Sequence, residues 1–219
     1  MDIANHTYTD LIVTYIKDSI LNGTYKPGDK VKELVIAKKL SISRAPIREA
    51  LQVLIQEGLI VWLPQKGKFI TDLNPKQIQD SYFTGGLLEA VAVSEAINRY
   101  TPRDCLRLEA ITEKMRDIAE NDKPIEKIAD LDDQFHKVLF SKIDNDLLKE
   151  FCRRSCQGLS KFLLFNYWIQ IYTPMEIYLR HKVIIDTLKS GDAQALETVL
   201  RKHYHDAGER MAAVSQEKR

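Results

Sequence analysis

The chain has no run of ~18 apolar residues of the kind that spans a bilayer, and its opening stretch MDIANHTYTD lacks the basic-then-apolar layout of a secretory signal. Both absences predict a cytoplasmic protein with no membrane partner. Cysteine is scarce. The three residues Cys105, Cys152 and Cys156 form an odd set without a CxxC pair, which argues against a disulfide framework or a thiolate zinc site and predicts reduced structural thiols. Excess charge is missing too: 32 Lys+Arg against 31 Asp+Glu leave a formal net charge of +1, so bulk charge does not announce a nucleic-acid binder. No HExxH arrangement and no nucleophile motif is found, which removes common signatures of hydrolytic enzymes. Nor is there a low-complexity tail. With 44% hydrophobic and 29% charged residues, the 219-residue chain has an ordinary globular composition and is long enough for one large domain or two small ones.

What the sequence does have is clear helix punctuation. Asn74-Pro75, Thr101-Pro102 and Thr173-Pro174 each set a capping side chain before a proline at the first helical position, where the missing N–H costs nothing. Gly191-Asp192 closes one helix and opens the next. With breaks near Asn121–Pro124 and Ile143–Asn145, residues 75–216 divide into about six helices. The first part reads differently. A helix over about 8–22, apolar at Leu11, Ile12, Tyr15, Ile16 and Ile20, runs into the turn NGTYKPGD, and two short helices follow over about 32–40 and 44–57, separated by SIS. After Gly58, the β-prone runs Leu59–Leu63 and Lys68–Thr71 flank a tight Pro-Gln-Lys-Gly connection and predict a hairpin. The expected fold is therefore mainly α: a winged helix-turn-helix over residues 1–73 and an all-α bundle of about six helices over 74–219.

In SISRAPIREALQVLIQEGLI, Ser43 is a natural N-cap, and Pro46 falls within the first turn, where proline forfeits no intrahelical bond. Arg44 and Arg48 are four apart and share a face, while Ile47, Leu51 and Leu54 form the opposite stripe. An apolar back and a cationic, hydroxyl-bearing front end suit insertion into a DNA major groove, where arginine can chelate guanine or grip phosphate. Lys66 and Lys68 flank Gly67 at the hairpin tip, placed to reach an adjacent groove. The local charge agrees in sign only: residues 1–74 carry 10 Lys+Arg against 8 Asp+Glu.

The second part holds a different anomaly. Wound as a helix, IADLDDQFHKVLF (128–140) buries Ile128, Leu131, Phe135 and Leu139. At about 100° per residue, Asp132 projects about 40° and His136 about 80° from Ile128, whereas Asp133 points away. The stripe Ile177, Ile184, Ile185, Leu188 contains His181. Leu196, Val199, Leu200 and Ala207 contain His203, with His205 on the opposite side. Three helices thus send histidine inward, one adding a carboxylate, and buried polar groups need partners. A divalent cation satisfies Asp132, His136, His181 and His203 together, and three imidazoles with one carboxylate suit Zn²⁺ or Ni²⁺.

From GTYKPGDK to the hairpin, with Ile36-Ala37, the Ser-Arg-x-Pro-x-Arg-Glu-Ala-Leu core at 43–51, Glu57-Gly58-Leu59 and Gly67, the chain closely resembles the DNA-binding domain of the GntR family of bacterial regulators. That resemblance implies DNA contacts by Ser43, Arg44 and Arg48, with Lys66 and Gly67 contributing from the wing. One departure is Leu34, where some relatives carry a DNA-contacting arginine. Asp-x-x-Phe-His at 132–136, Asn145-Asp-Leu-Leu148, His181, Gly191-Asp192 and His203 are similar to the FCD effector-binding domain of the FadR-like branch. The resemblance implies that Asp132, His136, His181 and His203 are metal ligands. The helix count is closer to the VanR-type layout than to the seven-helix FadR type. A second departure is Gly85-Gly86 before Glu89, where many relatives have an arginine that meets the effector. The pair suggests close packing or room for a ligand, and Arg153 and Arg154 are candidates for a replacement cation. Together these features imply a homodimeric regulator, a repressor by the usual family pattern, that reads a palindromic operator and responds to a small organic acid. Two alternatives are a metal-dependent enzyme fused to a DNA-binding domain, and a regulator whose metal is purely structural.

Overall fold

The computed structural model describes residues 7–121, 123–152, 154–155 and 162–217. Contacts group the chain into two units: Met1–Leu73 with Gly158–Asn166, and Asn74–Gln157 with Tyr167–Arg219. A single cut after residue 73 does not separate them, because the segment ending at Asn166, which includes the buried Leu163 and Leu164, groups with the first.

In the first unit, α1 (Tyr8–Leu21) starts from a reciprocal capping box between Thr7 and Asp10. Ile12, Ile16 and Ile20 follow at four-residue spacing and are buried, each worth roughly 1.5–3 kcal/mol of transfer free energy. Leu11, expected in that stripe, is instead exposed. Next come α2 (Glu33–Leu40) and α3 (Arg44–Gln56), joined through Ser41 in the left-handed region at φ 55°. Ile47, Ala50, Leu51 and Leu54 form the buried back of α3. The hairpin consists of β2 (Ile60–Leu63) and β3 (Gly67–Ile70), paired antiparallel from Ile60↔Ile70 to Leu63↔Gly67. A third strand that the sequence did not reveal, β1 (Lys30–Val31), pairs with β3 and gives the sheet order β1-β3-β2.

Between Asn74 and Glu217 the described residues form seven α-helices where about six were expected: α4 (Pro75–Glu95), α5 (Pro102–Glu120), α6 (Glu126–Phe140), α7 (Asp146–Cys152), α8 (Phe165–Ile171), α9 (Pro174–Ser190) and α10 (Ala193–Glu217). Two of them, α7 and α8, are seven-residue helices. The three Xaa-Pro starts are all capping boxes, Asn74 with Gln77, Thr101 with Asp104 and Thr173 with Glu176. No helix among the described residues is long and apolar enough to cross a membrane.

α4 and α10 form the most extensive helix pair, and glycine sets their spacing. A Cβ on Gly86 would lie 2.5 Å from Tyr204 Cβ, and one on Gly208 would lie 2.7 Å from Tyr82 Cβ. Each helix lends a glycine to the other's tyrosine. At Gly86, the sequence signal therefore marks close packing.

Candidate DNA interface and metal centre

Ser43 is the N-cap of α3 by backbone geometry, at φ −64° and ψ 162°, but its side chain makes no capping bond. The exposed hydroxyl stands at the helix N-terminus, where free N–H groups and the helix dipole favour an anion. Arg44 and Arg48 project from the same end with 50% and 60% of their side chains exposed. Both reach back to one carboxylate: Glu33 Oε2 accepts from Arg44 Nη2 at 3.2 Å and from Arg48 Nε at 3.1 Å. Glu33 Oε1 accepts from Lys68 Nζ at 3.1 Å, which ties the wing to the same point. Burial raises the Glu33 carboxyl, but the three cationic donors outweigh it and bring it down to about 2. At the wing tip, Lys66 N–H donates to Leu63 C=O at 3.1 Å across Pro64-Gln65, with Gln65 at φ 62°, the corner chemistry of a type II turn. Lys66 is exposed, and Gly67 lies beside the Lys30 side chain.

The second constellation comes from α6, α9 and α10. His136, His181 and His203 bring ring nitrogens within 4.8 Å of one another. Their ring centroids stand 5.2–5.7 Å apart, with Phe135 packed edge-on against His181 at 4.8 Å as an apolar wall. His181 Nδ1–H donates to Ile177 C=O at 2.8 Å, which fixes the tautomer and turns the Nε2 lone pair toward the cluster. That Nε2 is buried and stands 3.1 Å from Asp132 Oδ1 without hydrogen-bond geometry. His203 Nδ1 is buried with no hydrogen-bond partner. Asp133, one residue from Asp132, points outward to Lys137.

The fourth helix contributes a residue that the sequence did not single out for a role. Glu89 on α4 is fully buried; its Oε1 lies 2.6 Å from His136 Nδ1, and its Oε2 accepts from the Tyr204 hydroxyl. With Nδ1 taken, His136 has Nε2 left for the cluster. Burial works against the charged form of His136, but the Glu89 carboxylate outweighs it and raises the group to about 9. Burial raises Asp132, and the close approach of His181 with the charges of His136, His181 and Arg180 more than reverses this, holding it below its ordinary value. Burial, then Arg180, His181 and His136, push His203 well below its ordinary value, so it is a neutral base. The set is the donor chemistry of a borderline divalent ion: three converging imidazoles, one carboxylate, and a carboxylate behind one histidine. Two orphaned nitrogens fit a cation. Ligands at ~2.1 Å from one ion stand at most ~4.2 Å apart, so nitrogens spread over as much as 4.8 Å close in when they share it.

Residues 80–206 match the FCD domain family, and residues 9–70 match the gntR family of bacterial regulatory proteins. The chain belongs to the GntR family. It is a transcriptional regulator of the FCD-containing branch. Among GntR-family relatives, it is 25% identical over 209 residues to the HTH-type transcriptional repressor RspR of Escherichia coli K12, covering 94% of this chain and 90% of that one. It is 23% identical over 214 residues to the gluconate operon transcriptional repressor of Bacillus subtilis, covering 93% and 85%. Among solved structures, E. coli McbR/YncC superposes with a TM-score of 0.74 at 19% identity over 97% of this chain and 99% of that one. A GntR regulator from Rhodococcus sp. RHA1 gives 0.69 at 22% identity over 94% and 97%. These structural likenesses speak for the fold.

Within the GntR frame, the two departures take on structure. Leu34, beside Glu33 on α2, is 65% exposed and offers no charge. Gly86 admits Tyr204, whose hydroxyl then reaches Glu89. Of the proposed replacement cations, Arg153 lies outside the described residues, and Arg154 is exposed and paired with Glu150 at 3.6 Å. Arg180, adjacent to His181, is the cation whose charge reaches Asp132 and His203. His205 is exposed on the far side of α10, and Cys105 and Cys152 are free thiols, while Cys156 lies outside the described residues.

Proposed function

We propose that this GntR-family regulator is a homodimeric repressor that reads a palindromic operator through Ser43, Arg44, Arg48, Lys66 and Gly67. On this reading, Asp132, His136, His181 and His203 hold Zn²⁺ or Ni²⁺, and a small organic acid binds at that ion. The observation that carries it is the pair of buried nitrogens without hydrogen-bond partners, His181 Nε2 and His203 Nδ1, converging with His136 and Asp132. Such groups cost several kcal/mol when left unsatisfied, and a divalent ion satisfies them at once. The repressor reading draws on RspR and the gluconate operon regulator, both named as repressors. Two winged helices related by a twofold axis match a palindrome by symmetry.

A bound ion supplies Lewis acidity toward a carboxylate, and the chain supplies the rest. Asp132, with 30% of its side chain exposed, forms the rim through which an acid enters. Arg180 places positive charge beside it. A closed tetrahedral site with a purely structural ion is the second reading, favoured by the approach of Asp132 to His181, which provides a fourth ligand.

The test begins with chelator-stripped protein titrated with Zn²⁺ and with Ni²⁺. One ion per chain is expected, with binding lost in His136→Ala, His181→Ala and His203→Ala. A panel of small mono- and dicarboxylates is then titrated against metal-loaded wild type and His181→Ala. Equal affinities in the two proteins sink coordination of the acid by the ion, and absence of tight metal binding to wild type sinks the metal site itself.

A further inference from the structure

Glu33 is the first residue of α2, and its carboxylate is the meeting point of three cations from two other elements: Arg44 and Arg48 of α3 and Lys68 of β3. Its side chain is 19% exposed and that of Lys68 is 20%, whereas the two arginines keep half or more of their surface open. The acid is sheltered and the arginine ends stay reachable. The mode of contact matters for what they can still do. Arg48 is gripped through Nε, so both Nη groups are free to form the end-on fork that pairs with guanine O6 and N7. Arg44 is gripped through one Nη2 and keeps its other donors.

We infer that Glu33 is a positioning residue for operator reading: it holds Arg48 and Arg44 in the orientation that meets base edges, and its negative charge discourages binding to phosphate alone. This rests on the reading of Arg44 and Arg48 as DNA contacts. Two physical effects act in the same direction. A free arginine carries rotamer entropy that must be lost on docking to a base edge; a side chain already held by a carboxylate has lost part of it in the free protein. Meanwhile, non-specific affinity comes from cations neutralising phosphates and releasing counterions. A fixed anion among three cations lowers that affinity for every sequence, and an oriented guanidinium raises affinity for the matching sequence alone. Glu33 therefore widens the gap between the two. It stays ionised through the physiological range because its donors hold the carboxyl down to about 2.

The experiment uses the full chain throughout. Wild-type protein selects a duplex from a random pool, and its affinity for that duplex and for an unselected duplex of equal length is measured across salt concentrations for wild type, Glu33→Gln, Arg44→Ala and Arg48→Ala. Glu33→Gln keeps the shape and removes the charge. The expected result is a ratio of selected to unselected affinity that falls at least fivefold, while affinity for the unselected duplex rises and its salt dependence steepens by about one phosphate contact. A merely structural role moves both affinities downward together, and that outcome overturns the inference, as does a ratio that changes less than fivefold. If Arg44→Ala and Arg48→Ala keep the wild-type ratio, the DNA-contact reading itself fails, an outcome separate from failure at Glu33.

Discussion

Glu89 sits at 0% exposure between His136 and Tyr204, an arrangement that makes sense for a group acting through its neighbour. A carboxylate behind a ligating imidazole fixes the ring and raises its basicity, and its loss costs metal affinity about 10–100-fold. Glu89→Gln keeps the volume and removes the charge. It is expected to weaken Zn²⁺ binding by that factor in competition with a chromophoric chelator at neutral pH, with DNA affinity of the metal-free protein unchanged; undiminished Zn²⁺ affinity means that the carboxylate serves packing alone. The four candidate ligands were legible because helical periodicity tells which side of its own helix a residue faces, and all four faced inward. Glu89 was not, since its partner is 47 positions away on another helix, and no local spacing encodes that meeting. The same limit hid Glu33, whose partners lie 11, 15 and 35 residues on.

Among elements, the start of α5 offers a pH test. Asp104 Oδ2 accepts from Lys142 Nζ at 2.8 Å, and the carboxylate closes the capping box with Thr101. The Lys142 bond first, then Thr101, lower its pKa to about 2. A depressed folded-state pKa stabilises above the ordinary carboxylate range and loses that contribution as pH falls through the folded value. In urea unfolding, the advantage of wild type over Asp104→Asn should therefore be full at pH 6 and shrink between about pH 4 and pH 2; a gap independent of pH shows that the charge is not what stabilises. The α4–α10 seam offers a packing test. A Cβ on Gly86 meets Tyr204 Cβ at 2.5 Å, so Gly86→Ala must spread the pair, an overpacking cost of ~1–3 kcal/mol. The melting temperature should fall by about 2–4 °C per kcal/mol, and Zn²⁺ affinity should fall with it, because Tyr204 then withdraws from Glu89. An unchanged metal affinity separates seam from site. Helix starts were legible because Thr-Pro and Asn-Pro are local signals. β1 escaped because two residues are too few for alternation to show.

For the molecule as a whole, the regulatory reading has a strict thermodynamic consequence. If an acid bound at the ion changes operator affinity by some factor, the operator must change acid affinity by the same factor, since both measure one coupling free energy. A tenfold factor corresponds to about 1.4 kcal/mol. Acid that binds DNA-competent and DNA-incompetent states equally shifts nothing, however tight its binding. The ion enters this cycle only if it is the acid's point of attachment. Metal-loaded wild type, measured with any carboxylate from the panel that binds, should give equal ratios in the two directions: operator affinity without over with the acid, and acid affinity without over with the operator. In His181→Ala, both ratios should collapse to one together, because the variant loses the lone pair that Ile177 orients toward the cluster. If the ratios survive in His181→Ala, the signal enters elsewhere and the ion is structural. If they collapse while Zn²⁺ still binds, the imidazole itself carries the coupling.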